Sequence, residues 1–400
     1  VSLTVRAEGA VLARQTASLV GAVELGDPLA PADPEVSLRI CYAQAGEELF
    51  AIARRYHVSP GQMLAAVGVY GFWNYYMNTG DTATLRAVYP AVRRYLERFP
   101  LDDTGLTAAY KATWLWGDWG DNRDIRLIFA GWHYMALEGM ARTADLLGRP
   151  DDARQYRAIM LKIKEGYNRC WNGYSYRHPE YMGATDDRVQ ALAVLSGIAD
   201  ASKYAAIFKV LKSQEYASPY MERYVMEALF RMGQGEYAMA RLQKRIAPMV
   251  NDKDYPTLFE YWDARKRGFR GGSSNHAWSG GGLTVIAQQL MGAQPLEPRW
   301  RKFKIEPQYV TLREASLSFP TMSGTVSTAF RRSQDALSMS VGVPARTQAL
   351  VYIPSAHAAR ITVDGRPLAA RLIVTDSQLA KPGHTAVWLG AGDHTIRIAR

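Results

Sequence analysis

PTLFEYWDARKRGFRGGSSNHAW, residues 256–278, interrupts a long helical pattern at a point where packing alone does not explain the residues. Leu258, Phe259 and Trp262 read as apolar anchors. Glu260 stands among them, and after a glycine-rich basic turn Asn275-His276 opens another apolar run. A carboxylate flanked by Phe259, Tyr261 and Trp262 is partly desolvated, which moves it toward the strength of a useful general base. This loop is the first candidate site.

Upstream of it the chain reads as helices. Apolar positions recur at helical spacing over 82–99, 125–147, 153–168, 187–198, 201–211, 221–232 and 235–249, and again over 275–291. Gly and Pro punctuate the gaps, as in LGRPDD (147–152) and FRMGQGE (230–236). Many antiparallel helices on short turns predict paired α-hairpins, with an (α/α) barrel as their closed form and a repeat solenoid as the alternative. After Pro298 the period changes to two. Segments 315–319, 325–330, 337–343, 347–353, 361–363, 385–388 and 394–398 alternate apolar with polar and predict a β-sandwich of roughly 100 residues. The sandwich carries no cluster of carboxylates or histidines and reads as a structural cap.

Residues 1–66 differ from both. In LRICYAQAGEELFAIARRYHVSPGQMLAA an alternating strand (Leu38, Ile40, Tyr42) precedes an amphipathic helix with Leu49, Ile52, Ala53 and Tyr56 on one face. Val58-Ser59-Pro60 makes a turn, and a second helix starts near Gln62. The domain boundaries expected are therefore 1–66, 67–296 and 297–400.

The composition of 48% hydrophobic and 22% charged residues is that of an ordinary globular chain. A net charge of +10 favours anionic partners but fixes no function. With no zinc-ligand spacing, RNP-like aromatic strand or long Lys/Arg run, nucleic acid is not an expected partner. No stretch reaches the roughly 18 apolar residues of a membrane helix. VSLTVRAEGAVLARQ lacks the basic and apolar regions of a signal peptide, and the sequence assigns no compartment. Cys41 and Cys170 form no CxxC, and neither a metal nor a cofactor is expected. The 10 Trp and 23 Tyr lean toward carbohydrate, because aromatic faces stack on the C–H faces of sugars; about half of them are accounted for as packing bulk.

Two further constellations join the first. One is WLWGDWGDN, with Trp114, Trp116, Asp118, Trp119 and Asp121; the other is HPEYMGATDDRVQALAVLSG, with Asp186, Asp187 and Arg188 opening a helix. Each has a plainer reading. Asp186 serves equally as a helix N-cap, Asp118 and Asp121 as Asx-turns, and His276 as a cap or a partner to a neighbouring helix. Together the loops supply the carboxylates, aromatics and hydrogen-bonding groups that acid sugar hydrolysis needs. No GxSxG suggests a serine hydrolase.

TLFEYW…SSNHAWSGG resembles the TLxExW…SxNHxxxG signature of α-L-rhamnosidases, glycoside hydrolase family 78. YGFWNYYMNTGD (70–81), WGDWGDN, DDRVQALAVLSG and SPYMERYVMEALFRMG (218–233) resemble the bacteroidete-type branch of that family, and WRKFKIEPQ (300–308) the opening of its C-terminal β-sandwich. The resemblance covers about residues 62–400. It implies a six-hairpin (α/α)6 barrel that inverts configuration while removing terminal α-L-rhamnose from oligosaccharides or polysaccharides. It further implies Glu260 as the base that activates water and His276 as a residue holding the sugar or that water. Trp116, Asp118 and Trp119 match the loop lining the pocket and Trp278 a nearby wall; Asp121 and Trp262 complete the expected substrate-binding set.

The family's general acid lies in a DCPxRE motif upstream of the GFWNYYMNTGD-like stretch, and residues 1–69 contain nothing like it. In its place Tyr42, Gly46-Glu47, Leu49, Ile52-Ala53, Tyr56, Val58-Ser59 and Met63-Leu64 resemble a LysM domain, the peptidoglycan- and chitin-binding module, lacking its closing strand. About ten helices are visible where twelve would close the barrel. The expectation is an incomplete barrel joined at about 59–68 to a truncated LysM-like segment, through a junction of coding fragments or an internal deletion. Two other functions stay open at this level: a carbohydrate- or peptidoglycan-binding protein that does not cut, and a barrel hydrolase of other specificity, such as a glucuronidase.

Overall fold

The apolar stripes between residues 60 and 250 are assembled into two layers of helices. The computed structural model describes residues 2–7, 10–16, 60–109, 117–120, 122–270 and 272–399. The strand and first helix of the LysM-like segment, at 38–57, lie outside the described residues; a helix α1 (Pro60–Val67) does begin near Gln62. A short helix α2 (Asn74–Thr79) and α3 (Thr82–Leu96) follow. Then come α4 (Ile125–Leu146), α5 (Pro150–Arg169), α6 (Asp187–Leu195), α7 (Tyr204–Ser213), α8 (Pro219–Arg231) and α9 (Gly235–Val250).

Burial separates the layers. All nine residues of α6 and fifteen of the 22 in α4 are buried, against five of 20 in α5 and five of 16 in α9. A helix buried all round belongs inside, and one with a single apolar stripe belongs outside. Accordingly α1, α4, α6 and α8 pack in series as the inner row, while α5, α7 and α9 each cover the inner helix next to it in sequence. The contact of α1 with α4 is set by glycines: a Cβ on Gly139 would lie 2.6 Å from the carbonyl carbon of Gly68. The helix expected over 275–291 is instead broken into a 3₁₀ turn (Ala277–Gly280), a short α10 (Gly281–Val285) and a π-helical turn (Ile286–Leu290). Three successive glycines, 280–282, carry too little helix propensity to sustain one uninterrupted rod.

The alternating segments after residue 292 form the sandwich. Together with two N-terminal strands they build an eight-stranded and a four-stranded sheet. The strands are β1 (Ser2–Ala7), β2 (Ala10–Thr16), β3 (Ala293–Pro295), β4 (Lys302–Ile305), β5 (Glu314–Thr321), β6 (Gly324–Arg332) and β7 (Ala336–Val343), then β8 (Gln348–Ile353), β9 (Ile361–Val363), β10 (Arg366–Pro367), β11 (Thr385–Leu389) and β12 (Gly392–Ala399). The order is β10-β9-β12-β7-β6-β5-β1-β2 in one sheet and β11-β8-β4-β3 in the other. All pairings are antiparallel except β4 with β8. The first strand after the helices begins at Ala293, ahead of the expected boundary at 297. Residues 2–7 and 10–16, placed by their sequence in the N-terminal segment, extend this sheet: Leu3 lies opposite Leu317 in register.

At the loop end of the inner helices sits a dry network of charge. Arg188, on α6, donates from Nε to Asp186 at 2.7 Å and from Nη1 to Asp118 at 3.1 Å and to the carbonyl of Trp119 at 3.1 Å. Asp118 in turn accepts the backbone N–H of Ser218 at 2.8 Å, and the Ser218 hydroxyl as well. Asp186 caps α6 by accepting from the N–H of Arg188, as the plainer sequence reading anticipated, and also accepts the N–H of Asp124. Burial pushes the Asp186 carboxyl up to about 6 and raises that of Asp118, in both cases against the pull of Arg188. A second cluster joins Arg241 to Glu222 at 2.6 Å and Asp187 at 3.1 Å, with Arg245 3.3 Å from Glu222.

Two expectations follow. Replacing Arg188 with Met leaves Asp118 and Asp186 buried without a cation, and urea unfolding is expected to show a loss of about 3–5 kcal/mol; a loss under 1 kcal/mol would contradict the pairing. His133, buried in α4 with its Nδ1 3.0 Å from the Thr107 hydroxyl, is lowered by burial from 6.5 to about 3. The unfolded chain therefore binds its proton first, so stability falls as pH drops from about 6.5 toward 3, by about 1.4 kcal/mol per pH unit for one proton. His133→Gln is expected to flatten the stability–pH slope over that window by one proton; an unchanged slope would refute the assignment.

Candidate active site

The loop after α9 is held by a backbone ladder that brings residues 257–260 alongside 273–276. The N–H of Glu260 donates to the carbonyl of Ser273 at 3.1 Å, and that of His276 to the carbonyl of Leu258 at 2.8 Å. The Thr257 hydroxyl donates to the carbonyl of Ser274, and that of Ser279 to the carbonyl of Phe259 at 2.7 Å. Phe259 and Tyr261 point into a core with Met249 and Ala264, against which Trp119, Trp262 and Phe269 also pack. The Tyr261 ring lies so close to Gly272 that a Cβ there would stand 2.2 Å from it. Only glycine fits.

Between two buried aromatics, Glu260 is left at the edge of the core with its side chain 14% exposed, and the side chain of His276 is 27% exposed. Oε2 of Glu260 accepts the backbone N–H of Ser273 at 2.8 Å and its hydroxyl at 3.3 Å. His276 Nδ1 lies 3.4 Å from the same oxygen and 2.8 Å from the Ser273 hydroxyl. Among the described residues Oε1 has no donor. Burial lowers the imidazole below its ordinary range against the pull of the Glu260 charge, which favours the neutral form of His276. Trp278 leans on His276 with ring centroids 4.3 Å apart, and Tyr220 of α8 packs on Trp278 at 5.1 Å. The result is a carboxylate with one oxygen clamped and one open, beside a neutral imidazole and an aromatic wall. Such a group can take a proton from water.

The expected site residues separate into groups. Glu260, His276 and Trp278 come together, and Trp119 joins them indirectly, its ring 5.8 Å from that of Tyr261. Trp262 is turned elsewhere: its indole N–H donates to the carbonyl of Ala217 at 2.7 Å, and the Arg245 guanidinium covers its face at 4.3 Å. Asp118, expected to line the pocket, is 0% exposed, with both oxygens engaged by Arg188 and Ser218. Its place is beneath the loops, where a fixed cation and hydroxyl hold it away from any ligand. Trp116 and Asp121 lie outside the described residues. Ser273, Tyr220 and Arg245 were not anticipated as site residues. Ser273 stands in the SSNHAW motif itself, thirteen residues from the carboxylate it binds, and only the ladder reveals the pairing.

No His, Cys, Asp or Glu cluster among the described residues is arranged to hold a metal ion. No described helix is long and apolar enough to cross a membrane.

Residues 51–289 match the family model of the bacterial alpha-L-rhamnosidase 6 hairpin glycosidase domain, and residues 292–366 that of the bacterial alpha-L-rhamnosidase C-terminal domain. An alpha-L-rhamnosidase of Streptomyces avermitilis is 23% identical over 307 residues, 72% of this chain and 29% of that protein. The solved alpha-L-rhamnosidase of Dictyoglumus thermophilum superposes with a TM-score of 0.70 at 21% identity, covering 82% of this chain and 38% of its own. That of Streptomyces avermitilis complexed with L-rhamnose gives 0.67 at 20% identity, over 82% and 32%. The chain thus spans well under half the length of these relatives. It keeps the helical hairpin domain and the sandwich behind it, and on that match it belongs to the bacterial α-L-rhamnosidase six-hairpin glycosidase family.

Proposed function

We propose that the chain acts on terminal α-L-rhamnose of oligosaccharides or polysaccharides by inverting hydrolysis, with Glu260 as the base that activates water. The observation that carries this reading is the clamped carboxylate. Oε2 is taken by the N–H and hydroxyl of Ser273, so the lone pairs of Oε1 are available to a water molecule. The neutral His276 and the Trp278 face supply a hydrogen-bonding group and an apolar wall for one sugar ring. Family membership supports the substrate class.

The DCPxRE motif that carries the family's general acid has no match in residues 1–69. Aryl α-L-rhamnosides, whose leaving group departs without protonation, are therefore the substrates on which this chain is expected to be most active. The rival reading, binding rhamnose without cutting, is favoured by the absence of a DCPxRE-like motif from residues 1–69. Peptidoglycan enters only as a second ligand, through residues 36–66, and a pull-down of the full chain on peptidoglycan tests it.

Hydrolysis of nitrophenyl α-L-rhamnoside by the chain and by its Glu260→Gln variant decides between the main readings. Loss of the base is expected to lower kcat by about 10² to 10⁴-fold. An unchanged kcat in the variant would remove Glu260 from the mechanism. Rhamnose binding with no hydrolysis by either protein would favour the binding reading.

A further inference from the structure

We propose that Ser273 is the positioning residue of the Glu260 site, fixing the carboxylate and setting the tautomer of His276. The inference rests on the assignment of Glu260 as the base. Both donors of Ser273 reach the same oxygen: the N–H at 2.8 Å and the hydroxyl at 3.3 Å. The hydroxyl also lies 2.8 Å from His276 Nδ1, closer than the 3.4 Å between Nδ1 and the carboxylate itself. Ser273 is thus the bridge between the two side chains.

A hydroxyl has one proton to give and lone pairs to accept with. If it donated to Nδ1, Oε2 would keep only the backbone N–H. If it donates to Oε2, it can accept from Nδ1–H, and all three polar groups are satisfied. A hydrogen bond to an ionised carboxylate is about twice as strong as a neutral one, which selects the second arrangement. The proton of the neutral imidazole then sits on Nδ1, and Nε2 carries the lone pair. Nε2 becomes an acceptor for a sugar hydroxyl. The terminal torsion of a free glutamate is broad, and two donors from one residue restrict it so that Oε1 stays presented to water. The backbone N–H alone, one contact, leaves the carboxylate free to swing about it.

The test uses the full chain and nitrophenyl α-L-rhamnoside. Ser273→Ala is expected to lower kcat by about tenfold to a hundredfold, the effect of one hydrogen bond to a charged group, with KM changed by less than about twofold. Ser273→Thr, which keeps the hydroxyl, is expected to restore kcat. In ¹⁵N NMR of the imidazole, His276 is expected to show the Nδ1–H tautomer in the parent and Thr forms and to lose it in the Ala form. Glu260→Gln is measured in parallel. If it is inactive while Ser273→Ala keeps the parental kcat and imidazole signals, the role of Ser273 is overturned and that of the base stands. If Glu260→Gln is fully active, the base assignment fails instead. If the parent releases no sugar, the imidazole signals decide: an Nε2–H tautomer there overturns the proposal.

Discussion

The Arg188 guanidinium is the constraint on which the site's surroundings depend. It is buried against Asp118 and Asp186, with further donations to the backbone carbonyls of Trp119 and Asn122. Through Asp118 it reaches Ser218, so one cation ties together the loop before α4, the start of α6 and the start of α8. Removing such charges from water costs several kcal/mol per ion, and mutual attraction repays it only when every lone pair and proton is used. Here nearly all are. The stretch 214–218 is held from its other side by Arg241, which donates to the carbonyl of Gln214, and by Arg245, which donates to those of Glu215 and Ala217. Ala217 also receives the Trp262 indole, two residues from Glu260. Buried charge is thereby converted into placement of the loop that carries Glu260.

Above that base the loop works by division of labour. Phe259 and Tyr261 are spent on packing, which leaves Glu260 between them with limited mobility and partial access. Ser273 arrives from the returning side of the ladder, occupies one carboxylate oxygen and bridges it to His276. Trp278 and Tyr220 extend the wall onto α8. Inverting glycosidases need a base with an open oxygen on one side of the sugar and room for water before it. The solved relatives are more than twice the length of this chain, which covers 38% and 32% of them.

What the sequence disclosed and what it hid divide along chain distance. Ile125–Leu146 was legible to within a residue because a helix is written in its own 3.6-residue period. The Asp186 cap was legible for the same reason, acting two residues away. Glu260 showed because a lone carboxylate amid aromatics conflicts with local packing. Asp118 did not: its pairing with Arg188 spans 70 residues and that with Ser218 spans 100, and no local pattern distinguishes such an anchor from a ligand-facing aspartate. The strand at 2–7 pairs locally with 10–16, but its place beside the strand at 314–321 was hidden likewise. The break of the helix over 275–291 was visible in Gly280-Gly281-Gly282, and the apolar period overrode it.

The most direct measurement is the anomeric configuration of the first sugar released, followed by ¹H NMR during hydrolysis of nitrophenyl α-L-rhamnoside. A base that activates water on the face opposite the leaving group gives β-L-rhamnose first, with the α anomer growing in only as the free sugar equilibrates. That order of appearance is the result expected of Glu260. Release of α-L-rhamnose first, or no release at all, would contradict it.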